Sequence, residues 1–218
     1  MSNIIKGLKS LIGDVEMVPY TVIADHEIYE ERLYPAGKWV CTSLESTERD
    51  SCSSSMFRML FNFIAGKNKP NIRVDMTAPV STLVESGSSP GVKKFTMGFF
   101  IPQEQQESPP ESCDGTVFIE CRPEMRILTR RFSGYATEEI IQKEVEDLTK
   151  ILKESEGEEK VNFDTYYIVG YDPPYKPINR RNEIWFVKKE SSNTDKKDST
   201  PNDKEDEIAE NSEDVTEK

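Results

Sequence analysis

The order in which two hydrophobic periods alternate along the chain constrains its fold more than any single motif. Apolar residues recur at every second position in short runs and at every third or fourth in longer ones. These are the periods of a half-buried strand and an amphipathic helix. Strand-like runs cover 20–24, 28–34 and 38–44, with a hairpin turn at 25–27. In the second run Tyr29 and Leu33 share one face, and Glu30 and Arg32 the other. A helix follows, with N-caps on offer at 53–55; it runs through Ala65 and is stopped by Gly66. Further strands read out at 73–84, broken by Pro79, and at 94–101. In the latter, Phe95, Met97, Phe99 and Ile101 alternate with Lys94, Thr96 and Gly98 in a half-buried pattern.

After a polar loop at 102–114 the order returns. Strands are expected at 116–122 and 126–133, then a helix capped by Thr137 and ending near Gly157, then strands at 165–170 and 182–188. Ile140, Ile141, Val145, Leu148, Ile151 and Leu152 form the apolar stripe of that helix. Each half therefore reads strand, strand, helix, strand, strand, with one extra strand in front. Identity between the halves is low, so the repeat is one of order and not of residues. The simplest closure is an α+β domain: a distorted antiparallel β-barrel of two pseudo-symmetric repeats, with two main helices packed outside.

Composition sets the limits of that domain. Only 35% of the 218 residues are hydrophobic and 31% are charged, but the average hides a split. Residues 190–218 hold 11 acidic and 4 basic side chains and no aromatic, which predicts a disordered acidic tail. That tail carries −7 of the total charge of −12, leaving −5 for the rest. A mildly acidic domain lacks the basic footprint of a nucleic-acid binder. The N-terminal segment 1–17 has Ile4, Ile5, Leu8, Leu11, Ile12 and Val15 at helical spacing. It docks on its own domain, on a membrane surface or in a partner groove. The expected divisions are thus 1–17, 18–189 and 190–218. No run approaches the ~20 apolar residues of a transmembrane helix, and no secretory signal is read at the start. The four cysteines form no CxxC pair, so reduced thiols in a cytoplasmic protein are expected; the chain is expected to be soluble, for want of a membrane-length apolar run, and monomeric.

Two regions carry a functional signal. On the first helix Met56, Phe57, Met59, Leu60, Phe61, Phe63 and Ile64 leave only Ser55, Arg58 and Asn62 as a polar stripe. Packing on a sheet needs an apolar face of about 100°, and this one is wider. Either the N-terminal segment or the 102–114 loop covers the excess, or it borders a groove for a flat apolar ligand. The second region is the proline-stiffened stretch 170–186, with Lys176, Arg180 and Arg181. It suits a ligand bearing carboxylate or phosphate, or is an ordinary solvated loop. Catalytic constellations are missing: there is no GxSxG, GxGxxG, P-loop or HExxH. A single histidine, His26, precludes a multi-histidine metal site and is expected on the surface. Cys41 and Cys121 are read as small core residues.

Several blocks resemble the SOUL/heme-binding protein family. They are YEERLYPAGKWVCTSLES at 29–46, AGKN at 65–68, MTAPV at 76–80, FFIPQEQQ at 99–106, FIECRPEM at 118–125 and GYDPPYKPINRRNEIW at 170–185. With IKGLKSLIGDVEMVPY at 5–20, they span roughly residues 4–188 in the family's order. The resemblance implies non-enzymatic binding of heme and related tetrapyrroles, as a carrier or buffer, in an apolar cleft between the first helix and the 171–181 loop. It places the heme-binding positions at Arg58, Met59, Asn62, Phe63, Lys67 and Lys176. A histidine proposed as axial ligand in one branch of the family is replaced here by Leu33, so heme without an axial histidine is expected. The competing reading is a protein-interaction module of the same fold with little heme affinity, acting through the tail or the second helix.

Overall fold

The structure, a computed structural model, describes residues 15–113, 115–173, 176 and 178–189. The expected N-terminal amphipathic helix (except residues 15–17) and the acidic tail lie outside the described residues. In chain order the elements are β1 (Glu16–Met17), β2 (Thr21–Asp25), β3 (Glu30–Tyr34), β4 (Gly37–Ser46), α1 (Arg49–Ile64), β5 (Thr77–Ala78), β6 (Val80–Ser86) and β7 (Lys93–Phe100). Then come β8 (Phe118–Arg122), β9 (Met125–Phe132), α2 (Glu138–Ser155), β10 (Val161–Gly170) and β11 (Asn182–Lys188). The alternation of periods thus translates into elements nearly one for one. β1 pairs in parallel with β5, so the last two residues of the 1–17 segment, beyond the helical spacing at 4–15, are extended.

The first helix begins a turn before the serines at 53–55. Its N-cap is Glu48, with no side-chain cap, and Gly66 follows its end at φ 109°. The second helix starts as read: Thr137 accepts a hydrogen bond from the backbone N–H of Ile140. Pro79 separates β5 from β6, as a residue with no N–H to give a ladder must.

Nine strands form one sheet in the order β2-β3-β9-β11-β10-β6-β7-β4-β8, every pairing antiparallel. That order runs from edge to edge, and no pairing joins β2 to β8 among the described residues. The expected barrel is corrected to an open antiparallel sheet. Closure needs matched tilt and stagger all the way round. Here β2 pairs through a register shift between Val22 and Ala24, and β8 pairs over only five residues.

The pseudo-symmetry survives in a swapped form. β10 and β6 meet at the centre; on one side follow β11, β9 and then β3, on the other β7, β4 and then β8. The first strand of each half therefore edges the other half. The repeat also reaches residues, which low identity had hidden. Arg32 on β3 bonds Glu30 two positions earlier at 2.8 Å, and Arg122 on β8 bonds Glu120 in the same way at 2.7 Å. Each buried guanidinium lies on a ring, Arg32 on Tyr20 at 4.5 Å and Arg122 on Trp39 at 4.1 Å.

Both faces of the sheet are covered. Met56, Leu60 and Phe63 of α1 and Ile141, Leu148 and Leu152 of α2 pack with Phe95, Phe99, Leu128, Ile184 and Phe186. On the opposite face Tyr34, Trp39, Cys41, Ile127, Tyr167 and Trp185 pack with Val18 and Tyr20. The half-buried pattern expected for β7 is thus overturned, since Thr96 and Phe100 on its second face are also buried. Arg32, on the second face of β3, is buried as well, at 3% exposed. Alternation shows which residues share a face but not whether solvent reaches it. Cys41 is buried as read, whereas Cys121 is exposed on the edge strand β8, a correction of its reading as a core residue.

Candidate functional site

A cleft of about 680 Å³ opens on the helical side of the sheet. Its wall is the outward face of α1, its floor is Val80, Thr82, Met97 and Ile168, and its far rim is built from residues 135–137, Asp172 and Arg180. The excess apolar face read from sequence forms this wall; no described residue of the 102–114 loop lines it, and the N-terminal helix expected as its other cover lies outside the described residues. Phe57 and Phe61, four residues apart and so on the same side of the helix, stack with rings 6.1 Å apart and planes 16° from parallel. They remain 36% and 51% exposed. The inner residues Met56, Leu60 and Ile64 are buried, as their spacing demands.

Three arginines and two aspartates line the cleft, so it is cationic in an acidic chain. Arg58 points outward from α1 and makes no ion pair among the described residues. Arg49 donates through Nη2 to the carbonyl of Ala136 and to Asp50, both at 2.7 Å. Its Nε–H, though buried, has no partner among the described residues. An orphaned donor of this kind in a cleft wall fits an incoming anion, because leaving it unmet costs about 1–3 kcal/mol. Arg180 is committed to the loop: its Nη1 donates to the carbonyls of Pro173 and Lys176 at 2.9 and 3.1 Å. Its guanidinium also covers the Tyr135 ring at 5.1 Å.

The rim is anchored from the opposite face of the sheet. Glu183 of β11 is fully buried, and Arg32, Arg181, Trp185, Tyr171 and Thr129 all donate to it, the first four within 2.9 Å. Burial alone would raise its pKa, but the charges of Arg32 and Arg181 hold it below the ordinary carboxylate value. Tyr171 and Arg181 are also joined by a backbone hydrogen bond at 3.1 Å, which closes the base of the 171–181 loop. Asn182 then donates to the carbonyl of Gly134 at 2.9 Å, tying in the loop that carries Tyr135. None of this was legible in the sequence, since it depends on which strands become neighbours.

The residues placed at the site by resemblance separate in the structure. Arg58 lines the cleft. Phe63 is 1% exposed in the core under α1. Met59 is half-buried against that core, with the Thr42 hydroxyl 3.5 Å from its sulfur. Asn62 is half-buried and Lys67 exposed, and neither borders the cleft. Lys176 pairs with the cleft residue Asp172 at 2.7 Å. Burial raises the Asp172 pKa, but that pair and the Arg181 amide outweigh it and hold the carboxyl below its usual range. Leu33, at the position of the family's proposed histidine, does not border the cleft either. The residues that sequence reasoning missed are Phe57, Phe61, Arg49 and Tyr135; the over-wide apolar face was the one signal pointing to the first two.

His26 is exposed in the β2–β3 turn, where it stacks on Tyr29 at 4.4 Å. It lies close to Glu31 and Glu156. Lys188 already bonds both carboxylates at 2.9 Å, so a cation occupies the place a metal would need. No described helix is long and apolar enough to cross a membrane.

Comparison with known proteins gives a consistent picture. Residues 15–187 match the model of the SOUL heme-binding protein family. Human heme-binding protein 2 is 41% identical over 164 residues, covering 74% of this chain and 78% of the relative. Heme-binding protein 1 of Sus scrofa is 33% identical over 184 residues, covering 82% and 96%. Among solved structures, the C-terminal domain of EcmrR shares the fold, with a TM-score of 0.55 at 8% identity over 75% of this chain and 98% of that one.

Proposed function

The chain belongs to the SOUL heme-binding protein family, and from that membership we propose that it binds heme or a related tetrapyrrole in the cleft beside α1. In this reading it works without catalysis, as a carrier or buffer in the cytoplasm. The observation that carries the proposal is the pairing of a flat aromatic wall with unmatched cationic donors in one cleft. Heme presents a planar apolar macrocycle and two carboxylates, and the residues fit both. Phe57 and Phe61 would cover the macrocycle from one side, with Val80, Met97 and Ile168 beneath it. Arg58 and the unmet Nε–H of Arg49 would hold the carboxylates, as charge-assisted hydrogen bonds favour. The volume of about 680 Å³ lies in the ordinary range for small-ligand sites, ~300–1,000 Å³. Bound here, heme supplies an iron centre and a strong chromophore; the protein supplies orientation, burial and charge.

The reading without catalysis rests on the names of the relatives, which are heme-binding proteins, and on the lining of the cleft. Apart from Asp50 and Asp172, both ion-paired, no described residue lining it is a carboxylate that could act as acid or base. The interaction-module alternative draws no support from α2, because Leu148 and Leu152 are fully buried in the core.

The test is a hemin titration at the Soret band with wild type, Phe61→Asp, Arg58→Glu and Phe118→Asp. Phe118 is an exposed phenylalanine away from the cleft and serves as the control. Saturable one-to-one binding, weakened by the first two substitutions and not by the third, is expected. Non-saturating spectra that are identical in all four proteins would remove the proposal.

A further inference from the structure

We propose that Tyr135 is the ligand to ferric heme iron in this cleft, through its phenolate oxygen. This inference rests on the heme reading above and concerns a residue that the resemblance did not include. It begins from the donor set. Protein ligands to heme iron are histidine, cysteine, methionine and tyrosine. His26 lies in the β2–β3 turn, away from the cleft lining. Cys41 is fully buried on the opposite face of the sheet, where burial pushes its thiol up to about 12. Cys52, Cys113 and Cys121 do not line the cleft. Met59 faces the core and Thr42. Among the described residues bordering the cleft, only Met97 and Tyr135 carry one of these donor groups.

Between those two the geometry favours the tyrosine. Met97 is 4% exposed and packed into the sheet, so its thioether is covered by neighbouring side chains. A thioether is also a soft donor and a poor match for ferric iron. Tyr135 is 55% exposed at the rim. No hydrogen bond occupies its hydroxyl among the described residues. Its backbone is held: Gly134 before it sits at φ 85°, its carbonyl accepts from Thr137 at 3.0 Å, and the carbonyl of Ala136 after it accepts from Arg49. Its ring is held by Arg180 at 5.1 Å. The side chain is therefore positioned while its oxygen stays available. Arg49 and Arg180 stand on the same rim, and the two aspartates beside them are each already paired, Asp50 with Arg49 and Asp172 with Lys176. In forming the bond the Tyr135 oxygen donates a lone pair and releases its proton to solvent, and the iron keeps its oxidation state.

The experiment uses the full chain with added hemin, in wild type, Tyr135→Phe, Met97→Leu and Tyr175→Phe. Tyr175 neighbours the site in sequence but lies outside the described residues. Binding is followed by quenching of tryptophan fluorescence, ligation by resonance Raman of the phenolate ring modes, and folding by circular dichroism. We expect phenolate modes in wild type and Tyr175→Phe, their persistence in Met97→Leu whatever that change does to affinity, and their loss in Tyr135→Phe with binding still saturable and several-fold weaker. Saturable binding without phenolate modes in wild type, or modes that survive in Tyr135→Phe, overturns the ligand assignment and leaves the heme reading intact. Absence of saturable binding in all four proteins overturns both.

Discussion

At the residue scale, the two buried arginines show how a repeat can diverge while keeping its geometry. Arg32 reaches Glu183 of β11; the matching position on β7 is Gly98, and there Arg122 bonds Ser81 and Glu120 instead. A Cβ at Gly98 would sit 2.7 Å from Arg122 Nη2 and 2.9 Å from Cys41 Sγ. Gly98→Ala is therefore expected to lower stability by about 1–3 kcal/mol in urea unfolding, as overpacking does. On the other side, Glu183→Ala leaves Arg32 and Arg181 without their buried counter-charge, and a loss of about 3–5 kcal/mol is expected. The sign with pH follows from its depressed pKa. The contribution of Glu183 is fully present above the unfolded value near 4.5 and is lost as pH falls through the folded one. Wild-type stability should thus drop more steeply than that of Glu183→Ala on acidification, which paired urea titrations at descending pH will show. The E-x-R pairs at 30–32 and 120–122 stand in the sequence, but their meaning does not: nothing local says that those arginines point into a core.

At the element scale, α1 does two jobs and α2 one. α2 has a single apolar stripe, so its period, its Thr137 cap and its end near Gly157 could all be read directly. Thr137→Ala removes the acceptor for the Ile140 amide and should cost about 1 kcal/mol, read as a lower midpoint of thermal unfolding. In α1 the periodicity correctly placed Met56, Leu60 and Ile64 inside, yet an apolar face that is too wide has two possible covers. The structure leaves Phe57 and Phe61 facing the cleft. Because the Phe61 ring is half exposed and outside the core, Phe61→Ser should change stability by no more than about 0.5 kcal/mol. The same change removes apolar area that a flat ligand would bury, so hemin affinity should fall about tenfold or more in the Soret titration. That separation of stability from affinity distinguishes a binding wall from a core face.

At the scale of the whole molecule, charge is divided unevenly. The cleft is lined by three arginines and two aspartates, while residues 190–218 contribute −7. A chain ending at Lys189 should unfold at the same temperature as the full protein, because the removed residues offer almost no apolar surface to a core. At low ionic strength it should take up hemin, an anion, somewhat faster, and the difference should vanish above about 0.15 M salt, where the Debye length is ~8 Å. Stopped-flow mixing at two salt concentrations measures both halves of that expectation. The sequence by itself determined the type and order of the main elements, the cap and stop of α2, and the family, because these depend on local period and on runs of residues. Tertiary structure decided the rest. The crossing of β3 and β8 to opposite halves, the open edge, the burial of Arg32 and Arg122, and the meeting of Arg49, Phe57, Phe61, Tyr135 and Arg180 in one cleft all join residues far apart in the chain. A period of two or 3.6 says which side chains share a face; only the assembled sheet says what, if anything, covers that face.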